Sequence, residues 1–247
     1  MTYRVWGVSR IRDLKQCPAM YVAKYETKQW TDTPNPQMER GSAVHSSIEN
    51  TLNYDIHLEG EAAKMPVAQQ WTTALLGMKH NGVLVAPEFK FGLDRNFNKV
   101  DFFRAPELRA RVGLDVLVNN SGKGLIIDWK TGRYKPEHQT DADFYGAAAA
   151  VAIRTRTMDA MYVYLDEPHN TFTRAIEKPE EMMLEFWRGF DAADEYLDSE
   201  GADGQIRLVN PPMNPGKHCN WCGNVACPKN TNDKAKALAV KPKDIFQ

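Results

Sequence analysis

From Arg109 to Val118 the chain carries a period-two pattern in which one face is wholly apolar. Val112, Leu114, Val116 and Val118 face one way, while Arg111, Gly113, Asp115 and Leu117 face the other. Asn119-Asn-Ser-Gly-Lys-Gly then supplies strong turn chemistry, and Leu125-Ile-Ile-Asp-Trp-Lys130 returns as a strand. The segment is therefore an antiparallel hairpin, and it constrains the remainder. Two of its features are chemically costly. Asp128 interrupts an otherwise apolar strand, and a single tight turn can place Asp115 beside it. Two such carboxylates repel unless a divalent cation sits between them. Period-two geometry puts Asp128 and Lys130 on the same face, with Trp129 opposite.

The elements around the hairpin predict an α/β fold with a mixed sheet flanked by helices. Ser9 to Glu26 reads as a helix that Pro18 breaks or restarts, and Thr31 to Pro36 is a turn-rich linker. Helices are expected over Met38–Leu52, burying Val44, Ile48 and Leu52, and over Val67–Met78, with Trp71, Leu75 and Met78 on one stripe. Val83 to Phe91 is a strand in which Pro87 marks an edge or bulge. There Glu88 reads as an edge-strand charge before it reads as a site residue. An alanine-rich helix follows from Pro136 to Ile153, then a buried strand from Ala160 to Leu165. A long helix over Lys178–Leu197 is expected to bury Met182, Phe186, Phe190 and either Ala193 or Tyr196.

At 247 residues the chain is read as a single domain. It has an N-terminal helical part (1–80), a core (81–200), and a C-terminal segment and tail (201–247). No apolar run reaches the roughly eighteen residues of a membrane span. The opening residues do not form a secretory signal, so the expected location is the cytoplasm. The net charge of −1 gives no global field toward polyanions, so such binding must rest on local basic groups or bound cations. Those groups are Arg104, Arg109, Arg111, Lys130, Arg133, Lys135, Arg154 and Arg156. Trp30, Trp129 and Tyr134 are aromatic candidates for stacking on unpaired bases.

The four cysteines are unevenly placed: Cys17 stands alone, while Cys219, Cys222 and Cys227 crowd one short stretch. Disulfides fit poorly where thiols stay reduced. Thiolates at Cys-x-x-Cys spacing fit a metal. A tetrahedral zinc ion, with His218 as a spare ligand, and a [4Fe–4S] cluster are both compatible with the spacing.

Gly113-Leu-Asp-Val followed by Ile127-Asp-Trp-Lys-Thr-Gly-Arg133 resembles the RecB-like branch of the PD-(D/E)xK nuclease superfamily. Gly41-Ser-Ala-Val-His45 resembles that family's upstream Gly-x-x-x-His element, and Glu49 lies one helical turn beyond His45. The resemblance implies a restriction-endonuclease-like core. It further implies that His45, Asp115 and Asp128, with the Trp129 carbonyl, hold Mg or Mn, and that Lys130 is the catalytic lysine. The family's Gln-x-x-x-Tyr helix is matched only in part: Tyr145 is present, but Asp141 stands at the glutamine position and Gln139 lies two residues earlier. Ser9 through Cys17-Pro18, with the three later cysteines, resembles the iron–sulfur members of the branch, CRISPR-associated adaptation nucleases among them. By that resemblance Cys17, Cys219, Cys222 and Cys227 hold a structural [4Fe–4S] cluster. The implied activity is phosphodiester hydrolysis, as an exonuclease preferring single-stranded DNA. The alternative is a catalytically silent DNA-binding or adaptor module that keeps the fold.

Overall fold

The computed structural model describes residues 4–155, 157–201 and 204–239. Arg156 and residues 240–247 of the C-terminal tail fall outside the described residues. In chain order the elements are α1 (Val8–Gln16), α2 (Pro18–Tyr21), α3 (Pro36–Tyr54), α4 (Pro66–His80), β1 (Leu84–Leu93), β2 (Lys99–Val100), β3 (Ala110–Asn120) and β4 (Lys123–Lys130). They continue with α5 (Glu137–Ile153), β5 (Thr157–Tyr164), β6 (Phe172–Ile176), α6 (Pro179–Asp198) and α7 (Asp233–Ala239). Among the described residues no helix is long and apolar enough to cross a membrane.

The chain divides into two compact units. One spans residues 36–187 together with Arg4 and Val5; the other contains residues 6–35 and the chain from Arg188 onward. The first unit holds a six-stranded mixed sheet in the order β2-β1-β3-β4-β5-β6. The β3–β4 hairpin closes through Ser121 and Gly122, whose φ values of 52° and 86° are both left-handed. Such a two-residue turn matches the twist of its strands. Beyond the hairpin β4 pairs with β5 in parallel, so the chain must cross over, and α5 makes that crossing. Strand β6 was absent from the sequence expectations. Its short Thr- and Arg-bearing stretch is largely exposed at the sheet edge and lacks apolar alternation.

One layer of the core is α3 and α4 laid on the sheet. Val44, Ile48, Leu52 and Leu75 pack with Val85, Val116, Ile127, Trp129 and Val163. The helix α3 buries the three apolar residues expected of it. On α4 Leu75 is buried as expected and Trp71 packs partly buried against the core, but Met78 is exposed, and Ala68 and Thr72 are buried. The helix α6 buries Phe190 and Ala193 as expected, but its first turns differ. Met183, Trp187, Phe190, Ala193 and Leu197 are buried, while Met182 and Phe186 are only half-covered.

In the second unit Trp6 is buried, stacks on Tyr21 and Phe190, and donates its indole N–H to Asp194 at 3.1 Å. The N-terminal helix breaks where proline was expected to break it. Cys17 is extended between α1 and α2, with φ −162° and ψ 109°, because a following proline disfavours the helical conformation.

Gly92 decides how closely the β2–β3 loop approaches the sheet. A Cβ at this position would fall 2.8 Å from the Asp101 carbonyl oxygen and 2.3 Å from Leu108 Cδ1. Backbone cannot yield as a side-chain tip can. Gly92→Ala is therefore expected to lower stability by about 1–3 kcal/mol. The shift is measurable as a lower urea midpoint at unchanged slope.

Candidate active site

The paired register of β3 and β4 ends at Val116 opposite Ile127. Asp115 and Asp128 are the next residues on each strand. Here a side chain takes over from the ladder: the Trp129 backbone N–H donates to Asp115 Oδ2 at 2.7 Å. The other Asp115 oxygen lies 3.3 Å from His45 Nδ1 on α3. Asp128 forms an ion pair with Lys130 through Oδ1. That oxygen is buried and receives no directed hydrogen bond among the described residues. The structure thus brings together all four of His45, Asp115, Asp128 and Lys130.

The electrostatics follow from the packing. Burial pushes the Asp128 carboxyl up, to about 6; Lys130 opposes the shift and the Asp115 charge adds to it. His45 is subject to the reverse balance. Burial disfavours its cation, but the hydrogen bond to Asp115 and the charges of Asp115 and Asp128 outweigh that and raise its pKa. Each group is therefore held in a state that a cation would change. A divalent ion taking hard oxygen and imidazole ligands suits this donor set, and the Asp128 oxygen has acceptor capacity left for it. Here the side chains pair with one another, His45 with Asp115 and Lys130 with Asp128. No three His, Cys, Asp or Glu side chains stand at metal-ligand spacing among the described residues.

Lys130 is also positioned from below. Its ammonium lies 4.9 Å from the ring centroid of Tyr162, which pairs with Asp128 in the β4–β5 register. Tyr162 is fully buried, and its hydroxyl has no hydrogen-bond partner among the described residues. Burial pushes that phenol far above its ordinary pKa, with the charges of Asp128 and Asp141 and the phenol of Tyr145 acting in the same direction. Sequence reasoning missed Tyr162. Nothing in Ala160-Met-Tyr-Val-Tyr distinguishes a core tyrosine from one lying under a lysine.

Two further acids and a glutamine lie around this cluster. Glu88, read from sequence as an edge charge, lines a pocket with Gly41, Ser42, His45, Ser46 and Glu49. Its backbone has φ +48° in the middle of β1, a left-handed conformation that costs a non-glycine residue about 1–3 kcal/mol. Lys90 pairs with Glu88 at 2.8 Å. On α5, Asp141 is buried and acts electrostatically on Tyr162. Gln139 instead donates to the Tyr134 hydroxyl at 2.9 Å, in an exposed position.

The helix that carries His45 is anchored at its start. Arg40 reaches both Asp166 oxygens at 2.8 Å, Glu61 at 2.7 Å and the Thr131 carbonyl at 3.3 Å. The Arg40 guanidinium in turn holds the Asp166 carboxyl below the usual carboxylate range.

In the second unit Cys17, Cys219, Cys222 and Cys227 line one pocket, together with His218 and Met213. Asn230 and Asn232 order the cysteine turn: both donate to the Cys222 carbonyl, at 3.0 and 3.1 Å. Burial pushes the Cys222 thiol up, and the other three thiols act in the same direction.

Comparison with known proteins bears on this geometry. Slight likenesses exist to the crystal structure of SSO0001, with 12% identity and TM-score 0.36 over 78% of this chain and 97% of that one. The alkaline exonuclease LHK-Exo from Laribacter hongkongensis shares 14% identity at TM-score 0.26, over 72% of this chain and 89% of its own. LHK-Exo in complex with dAMP shares 15% identity at TM-score 0.29, over 70% and 83%. At these scores none carries an argument. No curated protein matches this chain significantly. The model of the PD-(D/E)XK nuclease superfamily, by contrast, matches residues 5–227. With a match over nearly its whole length, this chain belongs to the PD-(D/E)XK nuclease superfamily.

Proposed function

We propose that this protein is a Mg- or Mn-dependent deoxyribonuclease of the RecB-like branch, hydrolysing phosphodiester bonds as an exonuclease that prefers single-stranded DNA. The observation that carries the reading is the tying of His45 to Asp115 and of Lys130 to Asp128 where the β3–β4 ladder ends. His45, Asp115, Asp128 and the Trp129 carbonyl would hold the ion. When bound, such an ion polarises the phosphate and makes water a stronger nucleophile. The protein's own contribution is charge and placement. Lys130, seated on Tyr162, donates to the phosphate oxygens as negative charge builds on them. The Trp129 amide keeps Asp115 in one orientation. Glu49, Glu88, Asp141 and Tyr145 are accessory groups beside these, and Gln139 is left outside. The exonuclease and single-strand preferences rest on the motif resemblance. The family match runs through both units, which supports reading them as one nuclease.

We further propose that the four cysteines hold a [4Fe–4S] cluster, with zinc as the competing occupant. Their convergence on one pocket supports a shared ligand, and a bound cluster would supply cross-linking between distant chain segments. The parallel with CRISPR-associated nucleases is one of motif arrangement.

Three outcomes follow. With end-labelled single- and double-stranded DNA and Mn²⁺, the wild type degrades the single strand faster, and Lys130→Ala lowers the rate at least about 10²-fold. Gel-shift binding survives in that variant. A wild type that binds DNA but never cleaves it with any divalent ion would establish the adaptor reading.

The second outcome concerns pH. Asp128 has a raised folded-state pKa, so its ionisation opposes folding in the ion-free protein. The cost is absent below the ordinary carboxylate range, near pH 4, and complete above about pH 6. Asp128→Asn removes it. In EDTA that inactive variant is more stable than the wild type at pH 8, by on the order of 1–3 kcal/mol, and the advantage disappears near pH 4. Equal melting temperatures at pH 8 would show that the carboxylate is not under electrostatic stress.

Thirdly, protein purified anaerobically is brown, contains iron and sulfide, and loses both colour and thermal stability in Cys222→Ser. Colourless, zinc-loaded wild type would transfer the assignment to zinc.

A further inference from the structure

The β2–β3 loop carries a surface feature that the hydrolytic site leaves unused. Phe102 and Phe103 meet edge to face, with ring centroids 4.8 Å apart and an interplanar angle of 83°. Phe103 is 71% exposed, an unfavourable position for a large apolar ring unless something covers it. The loop is nonetheless ordered by its own bonds. Asp101 Oδ1 accepts from the backbone N–H groups of Phe103 and Arg104, at 2.9 and 2.7 Å. Arg111 Nε donates to the Phe102 carbonyl at 2.9 Å, and its guanidinium lies 5.7 and 5.8 Å from the two ring centroids. A rigid aromatic pair with a guanidinium beside it has the chemistry to hold a nucleotide: a flat apolar face for the base and a cation for the phosphate.

Its place on the sheet says which strand it would hold. Arg111, Gly113 and Asp115 lie on the same face of β3. Arg111 is four residues from Asp115, or about 13 Å at roughly 3.3 Å per residue. Between them Gly113 is exposed, and a Cβ there would meet only Lys90 Cγ, at 3.8 Å. The fold itself therefore imposes no need for glycine at this position. With no side chain at Gly113, the group nearest that stretch of β3 is the Lys90 stem from the neighbouring strand, whose ammonium is drawn to Glu88.

We propose that Phe102 and Phe103, backed by Arg111, form a stacking platform for an unpaired base of the DNA strand whose phosphate reaches Asp115 and Asp128. Gly113 gives that strand room to lie along β3. The proposal rests on the nuclease reading for its substrate, but its test does not depend on cleavage.

The test uses the full chain carrying Lys130→Ala, so that DNA is bound and not degraded. The probe is a single-stranded oligonucleotide with a fluorescent adenine analogue placed at successive positions. One position should be strongly quenched on binding, and Phe103→Ala should abolish that quenching. The same change should raise the dissociation constant for single-stranded DNA roughly tenfold. Phe103→Trp should restore both quenching and affinity, a rescue that a purely structural role would not produce. Phe103 is largely exposed, so the variants should melt at the parent temperature, and a loss of binding can be read as lost stacking. Gly113→Val is a second, independent probe, expected to weaken binding at unchanged melting temperature. Unchanged affinity and unchanged quenching in Phe103→Ala overturn the platform and leave the exposed pair as a contact for another protein. Failure of the parent to bind single-stranded DNA at all overturns it too. A wild type that binds through Phe103 but does not cleave would defeat the nuclease reading and leave the platform standing.

Discussion

Two aspartates side by side at the end of a β-ladder are the constraint to which the rest of the first unit responds. Asp115 and Asp128 follow the last paired residues of β3 and β4, where the backbone would ordinarily continue hydrogen bonding. Asp115 replaces one of those bonds by accepting the Trp129 amide, so a ligand-type side chain is locked by the same backbone that positions its neighbour. The repulsion between the two carboxylates is met from both sides, by His45 on α3 and by Lys130 two residues along β4. Neutralisation by side chains that a cation can displace is a different solution from burying an apolar pair. It keeps the site charged, at a cost in stability that the raised pKa of Asp128 registers.

The surroundings limit how these groups can move. Tyr162 supports the partly exposed Lys130 from within the core. Arg40 fixes the start of α3 to Asp166, just beyond β5, so His45 approaches Asp115 on a braced helix. Glu88 adopts a left-handed backbone within a strand. Strain of this kind persists only where neighbouring structure over-determines it, and here it accompanies a carboxylate in the pocket that His45 and Glu49 line.

The second unit follows a different logic. Its buried aromatic group around Trp6 is small, and its cysteine turn is short and irregular. Order in that turn comes from polar side chains: Asn230 and Asn232 occupy the Cys222 carbonyl that a regular element would have satisfied. Such a segment has little apolar area with which to hold itself together. Its four thiols line one pocket.

Much of this was legible in the residues themselves, because local rules operate within a few positions. The period-two pattern placed Asp115 and Asp128 on neighbouring strands, Ser121-Gly122 closed the hairpin, helical spacing selected Val44, Ile48 and Leu52, and Pro18 broke the first helix at Cys17. Other features depended on partners distant in sequence. Strand β6 exists because β5 offers an unpaired edge, and the first turns of α6 bury Met183 and Trp187 in place of Met182 and Phe186, with the Trp187 indole reaching the Arg95 carbonyl and the Phe97 ring. The pairing of Asp128 with Tyr162 follows from a parallel register that only the α5 crossover creates. Glu88 became part of a pocket through backbone strain that no residue preference announces. The sequence by itself determined which chemical groups stand at which period. Only the tertiary structure decided which of them share a pocket, a dielectric and a charge, because those depend on packing between elements far apart along the chain.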